Sequence, residues 1–298
     1  MRLLLTAIIT FTSFIGISQV ISGRIIDADS KNPIGYVNIG VVGKNRGTVS
    51  NKDGQFSLEV KPENYKDTLR LSTIGYQPVN FIVEDINRIL VINSNGLVIE
   101  LSKYIPVLTE VIITPRKFKK KVIGYKGKLG HVVFDQSMMA DTGLFNSADD
   151  SLIIKYLKDT SSCSEWGTVL EIKKAPAYIQ DINFVIKSNK YKNTILFRLN
   201  IYEKKEGFHG NNILHRILTE PIIVSSTIEK GILKIDLAKY NIYVENDFLV
   251  AMEWVEGVKG VGFGAGLKGI SIGRICSWGS TIQLNFSLGI YATVLYLK

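Results

Sequence analysis

Histidine and cysteine are the scarcest chemistry-bearing residues of this 298-residue chain, with three of the first and two of the second. His131, His209 and His215 lack the spacing of a metal-binding helix or hairpin, and Cys163 and Cys276 stand without a nearby histidine. A four-ligand zinc centre is therefore excluded as a local motif. Charged residues amount to 21%, below the roughly one quarter of an average domain. Beyond the first residues there is no apolar run long enough to cross a bilayer as a helix. The Gly-x-Ser-x-Gly turn of a hydrolase nucleophile is missing, and so is a spaced Asp-x-Asp-x-Asn-Gly calcium loop. Asp27-Ala28-Asp29 is too sparse to serve as one.

What the chain does have is apolar and aromatic material: 46% hydrophobic residues, with 13 Tyr and 13 Phe. That is enough for one large core or two ordinary ones, and it excludes a disordered or fibrous chain. Aromatic and β-branched side chains pack well on pleated surfaces, so the balance favours β structure. The formal net charge of +9 fits contact with nucleic acid, acidic headgroups or acidic glycans, and equally fits plain cationic solubility.

Met1 and Arg2 make a positive start, and Leu3 to Ile17 is an apolar stretch too short for a bilayer span. Gly16 and Ser18 place small residues where a signal peptidase reads, ahead of Gln19. This pattern predicts a cleaved secretory signal over residues 1–18. No cysteine follows the run, which disfavours a lipid anchor. An exported protein meets an oxidising compartment, where Cys163 and Cys276 have the option of one disulfide. Sequence does not fix whether their backbones approach closely enough.

From Val20 to Leu101 apolar residues alternate with period two: Val37, Ile39 and Val41; Leu69 and Leu71; Val79, Phe81 and Val83; Leu97, Ile99 and Leu101. Turn residues punctuate them, including Asp53-Gly54, a hairpin signal because Gly adopts positive φ cheaply. Short strands so punctuated indicate a small β-sandwich. Gly23 in the opening strand, Pro33, Gly47-Thr48 leading to Asp53-Gly54-x-Phe56, and the Ile74-Gly75-Tyr76 turn carry a resemblance. In this order they resemble the carboxypeptidase regulatory-like domain. The resemblance implies a seven-strand transthyretin-like sandwich, a non-catalytic accessory role, and a Gram-negative envelope setting.

Leu108 to Thr114 looks like the strand that leads such modules into the plug of TonB-dependent receptors. The remaining chain lacks the evenly spaced strands and aromatic girdles of an outer-membrane barrel, so the receptor reading is rejected. Arg116 to Lys121 is a dense basic run, read as a flexible linker that also offers a contact for an acidic surface. Asp149-Asp150-Ser151 followed by Leu152, Ile153, Tyr156 and Leu157 fits one short helix. After it come alternating strands: Ile182, Phe184 and Ile186; Phe197, Leu199 and Ile201; Leu233, Ile235 and Leu237; Phe248, Val250, Met252 and Trp254; Ile282, Leu284 and Phe286. One buried face per antiparallel sheet produces this pattern. Roughly eight strands in roughly 170 residues point to a jelly-roll-like sandwich, and Phe197 to Glu203 loosely resembles jelly-roll accessory domains of secreted bacterial proteins.

Gly264 to Gly269 spells Gly-x-Gly-x-x-Gly, but a dinucleotide site needs that motif between a strand and a helix, and this chain is all-β there. Asp149 with Asp150, and Glu253 with Glu256, are the carboxylate pairs a glycosidase would need, at separations that sequence does not give. Trp166, Trp254 and Trp278 serve either as core or, on an exposed sheet, as stacking surfaces for sugar rings.

The expected protein is all-β. A signal peptide (1–18) precedes a regulatory-like sandwich (19–102), a linker with the basic run (103–128) and a jelly-roll-like sandwich (129–298). No catalytic, cofactor-binding or metal-binding residue is assigned and no cofactor is expected. The expected role is non-enzymatic binding of a glycan or envelope protein in the periplasm, at the outer membrane or outside the cell, without nucleic acid. The alternative is a hydrolase of surface polysaccharide or peptide.

Overall fold

The computed structural model describes residues 19–92, 97–104, 118–127, 130–134, 163–203, 215–255, 260–274, 278–279 and 281–297. The expected signal segment, the strand at 108–114, the helix at 149–157, His209, Glu256 and Cys276 lie outside these residues.

Two layers form the N-terminal module. The strands β1 (Gln19–Asp27), β2 (Asn38–Val41), β3 (Gly47–Val49), β4 (Gln55–Val60), β5 (Thr68–Ser72), β6 (Val79–Ile82) and β7 (Leu97–Leu101) build it. One sheet runs β4-β1-β7 and the other β3-β2-β5-β6, which gives the seven strands expected. β4 shows how the sequence makes the sandwich: Phe56, Leu58 and Val60 are buried while Gln55, Ser57 and Glu59 are exposed. Alternate side chains of a strand face opposite ways, so each strand contributes one face to the core. Ile21, Ile39, Leu69, Leu71, Ile99 and Leu101 join that core.

Two local expectations are corrected. Gly54 does take a positive φ of 75°, but β3 and β4 belong to different sheets. Asp53-Gly54 is therefore a corner between layers, not a hairpin. Asn51 shapes it, its Oδ1 accepting from the amides of Asp53 and Gln55 at 3.0 and 2.9 Å. The amide of Ile25 donates to the Gly54 carbonyl at 2.9 Å, pressing the corner onto β1 where a Cβ would collide. The second correction is at Val83, where the alternation of Val79 and Phe81 gives way to helix α1 (Val83–Ile92). Val83 and Ile86 are buried at helical spacing, Glu84 and Asp85 lie in the first turn, and Arg88 pairs with Glu84 at 2.5 Å. The helix carries the chain to β7, which must arrive parallel to β1; a parallel neighbour requires a crossover longer than a tight turn.

Asp27 closes the module at the end of β1. Its Oδ1 accepts from the amides of Ser30 (2.7 Å) and Asp29 (3.0 Å). Its Oδ2 accepts from the Tyr76 hydroxyl at 2.9 Å, with the Lys103 ammonium 3.6 Å away. The Ser30 amide above all, with Tyr76, holds the Asp27 carboxyl well below the usual carboxylate range. Burial, then the bond to Asp27, pushes the Tyr76 hydroxyl up to about 12. A folded value raised above the unfolded 10.0 stabilises fully below pH 10 and fades as pH climbs toward 12. Tyr76→Phe is expected to lose about 1 kcal/mol at neutral pH. The difference between the two proteins should shrink across that alkaline window, read from urea midpoints against pH. An unchanged difference would detach Tyr76 from the titration.

The C-terminal module is a second two-layer assembly. Its strands are β8 (Phe118–Gly124), β9 (Gly130–Phe134), β10 (Glu165–Leu170), β11 (Ala177–Asn189), β12 (Ile195–Glu203), β13 (His215–Arg216), β14 (Ile222–Ser226), β15 (Gly231–Asp236), β16 (Tyr243–Val244), β17 (Phe248–Trp254), β18 (Val261–Gly266), β19 (Ser271–Arg274), β20 (Thr281–Leu284), β21 (Ser287–Leu288) and β22 (Ile290–Leu297). A seven-stranded sheet runs β13-β12-β17-β10-β19-β20, with β14 also on β12. An eight-stranded sheet runs β21-β18-β11-β22-β8, with β15 and β16 on β11 and β9 on β18. The expected apolar faces meet between them, Phe184, Phe197, Leu199, Val250, Met252 and Trp254 among others. Phe184, Phe197, Trp254 and Phe263 form a continuous chain of edge-to-face rings 5.2 to 6.0 Å apart.

Part of the expected linker belongs to this module. Phe118–Gly124 pairs along its whole length with β22, from Leu297↔Phe118 to Tyr291↔Gly124. Lys119, Lys120 and Lys121 are thus exposed side chains on a hydrogen-bonded edge strand, not a flexible tether. Lysines suit that position because a bare strand edge invites pairing with another chain. Arg116 and Lys117 lie outside the described residues.

The expectation of one buried face per sheet fails at β17, where every residue from Phe248 to Trp254 is buried. The N-terminal module packs against this outer side. Val49 of β3 meets Cys163 and Val255, with Tyr36, Leu196 and Ile223 around them. The Gly43 amide donates to the Trp278 carbonyl at 2.9 Å, and the Arg70 guanidinium lies 4.3 Å over the Trp278 ring. Cys163 is disulfide-bonded.

Candidate functional site

Two places gather polar side chains, and they differ in access. The first is a charged row on the outer face of the seven-stranded sheet. Strand register sets Arg198 opposite Glu253, Glu253 opposite Glu165, and Glu165 opposite Arg274. All four are buried, Arg198 and Glu253 completely. Glu165 Oε2 takes the Arg274 Nε and Nη2 at 2.5 Å. Its Oε1 takes the Asn200 amide at 2.6 Å and the Tyr202 hydroxyl at 2.7 Å. Asn200 also reaches Glu253 Oε2 at 2.8 Å, and Arg198 Nε lies 3.7 Å from the same oxygen. Arg198 Nη2 donates across the module junction to the Tyr36 carbonyl and, at 3.2 Å, to Asn38 Oδ1. Tyr36 is held at φ 59°, a left-handed conformation that a tyrosine keeps only when its surroundings enforce it.

The row has two cations, two anions and no open side. A glycosidase needs two carboxylates flanking a sugar; these two face each other under a protein lid, and each is engaged by an arginine. At Arg198 the row also fastens one module to the other. Glu256, Asp149 and Asp150, the other carboxylates named for that chemistry, lie outside the described residues.

The second place is the outer face of the eight-stranded sheet. Ala177 and Ile179 of β11 point into the core, so Tyr178 between them points away from it. Tyr178 stands opposite Tyr243 of β16 and opposite Leu295 of β22, which is opposite Lys120 of β8. The Tyr178 ring lies 6.1 Å from Tyr243 and 5.6 Å from Phe118, which reaches it over β22. Tyr243 is 42% exposed, and Tyr178, Phe118, Leu295 and Leu297 are half-buried. Three aromatic rings thus form an accessible strip across the sheet.

Beside the strip runs a polar patch. Asp181 Oδ1 accepts from Asn183 Nδ2 at 2.6 Å, its Oδ2 lies 3.2 Å from the Lys234 ammonium, and the Thr293 hydroxyl donates to it. Burial would raise the Asp181 carboxyl, but the bonds from Thr293, Asn183 and Lys234 outweigh it and hold the group below its ordinary value. Burial, followed by the Asp181 charge, pushes the neighbouring Tyr291 hydroxyl up. Lys126 lies 5.6 Å over the Tyr291 ring. Here the bulge between Ile179 and Asp181 matters: it resets the alternation so that Tyr178 and Asp181 share a face three residues apart, which a period-two reading of the sequence does not show.

The tryptophans named from the sequence do not build this strip. Trp166 and Trp254 are core residues, and Trp278 packs on Arg70. His131 lies on β9 opposite Gly264 and His215 on β13 opposite Glu203. Gly264 and Gly266 are in strand β18, followed by a turn with Gly269 at φ 108°, so no helix receives the glycine motif. Among the described residues no group of three or more His, Cys, Asp or Glu is placed to hold a metal ion.

With the N-terminal sandwich and its Ile74-Gly75-Tyr76 turn in place, the comparison with known families is direct. Residues 21–112 match the CarboxypepD_reg-like domain family. The match spans the CarboxypepD_reg-like module that rests on the charged row, and it does not extend over the C-terminal sandwich that carries the aromatic strip. No curated protein matches the chain.

Proposed function

We propose that this is an exported, non-enzymatic protein of a Gram-negative cell envelope, periplasmic, at the outer membrane or secreted, that binds a saccharide through its C-terminal, jelly-roll-like sandwich. The observation that carries the reading is the accessible strip of Tyr243, Tyr178 and Phe118 beside hydrogen-bonding groups. Sugar rings offer apolar C–H faces and a rim of hydroxyls; the strip of rings answers the first, and the exposed Lys234 ammonium beside Asp181 answers the second. The ring spacings of 5.6 and 6.1 Å are comparable to the step between consecutive sugars in an extended oligosaccharide. Export is supported by the signal-like start and the disulfide-bonded Cys163, since such bonds persist in oxidising compartments. An accessory role is supported by the CarboxypepD_reg-like match.

In this reading the CarboxypepD_reg-like module is a mount: Arg198, Trp278 and the Val49 cluster fix it to the seven-stranded sheet, and the opposite sheet faces outward. The test is a glycan array followed by titration calorimetry and product analysis. Saturable binding without turnover is expected, and Tyr178→Ala should weaken it about tenfold, or about 1.4 kcal/mol. Reproducible cleavage of a glycan or peptide would replace the reading with that of a hydrolase.

A further inference from the structure

From the charges around the strip we infer that the saccharide is acidic, a chain bearing uronate carboxylates; this rests on the saccharide-binding reading above. Three ammonium groups lie on the same face of the sheet as the rings. Lys120 shares a cross-strand row with Tyr178 through Leu295, Lys234 is 60% exposed on β15, and Lys126 reaches out over Tyr291. Of the carboxylates on the same face, Asp181 is engaged by Lys234 and Asp236 is exposed. Asp181 is almost wholly buried and bonded to Thr293, Asn183 and Lys234, and Asp236 accepts the Ala238 amide at 2.9 Å. Lys234 and Asp181 offset each other, so Lys120 and Lys126 against Asp236 leave the face a positive balance beside apolar rings, on a chain of formal net charge +9. Lysine ammoniums are compact, hydrated point charges. They suit carboxylates repeated at intervals along a polymer, reached across solvent rather than clamped. A lone headgroup would use one lysine and leave the row of rings uncovered; an acidic chain lying along the strip engages rings and lysines together.

The experiment titrates the purified full-length protein with an oligogalacturonate and with its carboxyl-reduced, neutral counterpart of the same length. The uronate oligomer is expected to bind at least about tenfold more tightly than the reduced one. That preference should collapse when salt rises from about 0.05 M to about 0.5 M, because exposed charge pairs are screened. Lys120→Gln combined with Lys126→Gln should lower uronate affinity about tenfold and leave affinity for the reduced oligomer unchanged. Sedimentation of the variant checks that loss of the edge lysine has not caused self-association, and a monodisperse variant that keeps full uronate affinity overturns the inference. Equal, salt-insensitive affinity for both oligomers, lost in Tyr178→Ala, would keep the saccharide reading and overturn the acidic one. Binding to neither oligomer, or only to vesicles containing phosphatidylglycerol, would overturn both.

Discussion

Replacing Arg274 with methionine is expected to lower the unfolding free energy by about 3–5 kcal/mol. The guanidinium holds Oε2 of Glu165 through both Nε and Nη2, a carboxylate with 3% of its side chain exposed, and it also donates to the Tyr202 hydroxyl at 2.7 Å. Without it Glu165 keeps the Asn200 and Tyr202 donors but no cation, and an uncompensated charge in the interior is the costliest outcome of such a change. The double variant Glu165→Gln, Arg274→Met should recover most of the loss. Glutamine keeps an acceptor for Asn200 and Tyr202 and brings no charge to neutralise. Urea unfolding of the two single variants and the double gives the coupling directly. Additive losses would mean that the pair is not coupled and that the row's contribution lies in packing alone.

Such a row explains how far the sequence speaks. Strand positions were legible because burial acts residue by residue: Phe56, Leu58 and Val60, or Phe197, Leu199 and Ile201, alternate whatever else the fold does. The family resemblance of the first module was legible for a related reason, since Gly54 and the turn at Gly75, at φ 75° and 84°, fix backbone conformations that few residues adopt. Longer-range facts were not. Nothing near Val83 announces a helix except two acids and an apolar residue three positions on; the parallel pairing of β7 with β1 requires it, and that pairing joins distant segments. Arg198, Glu253, Glu165 and Arg274 come from four strands separated by many residues, each reading locally as an ordinary outward polar position. Only strand pairing brings them into one row, and only Arg198 reaches the other module, at Tyr36 and Asn38. The strip was missed through one inserted residue: the bulge after Ile179 turns Tyr178 and Asp181 to the same side. Trp166 and Trp254, large rings that sequence offers as stacking surfaces, are taken by the core.

Serine in place of Cys163 is expected to cost about 2–5 kcal/mol of stability, the usual range for a native disulfide of this kind. The residue is 1% exposed and packs with Val49 of the CarboxypepD_reg-like module and Val255 at the end of β17. A covalent link removes freedom from the unfolded chain, and that is how such a bond stabilises the folded one. Reduction of the native protein should therefore reproduce the serine variant, and the variant itself should not respond to reductant. Because Cys163 contacts Val49 directly, the loss should fall first at the junction. The Trp278 surroundings, under Arg70, offer a fluorescence signal that ought to change at lower urea than the far-ultraviolet β signal. A protein whose midpoint ignores reductant would show that the bond stabilises nothing. A coincident loss of both signals would show instead that junction and sandwich unfold as one unit, with Arg198 and its partners too strong to let the modules part.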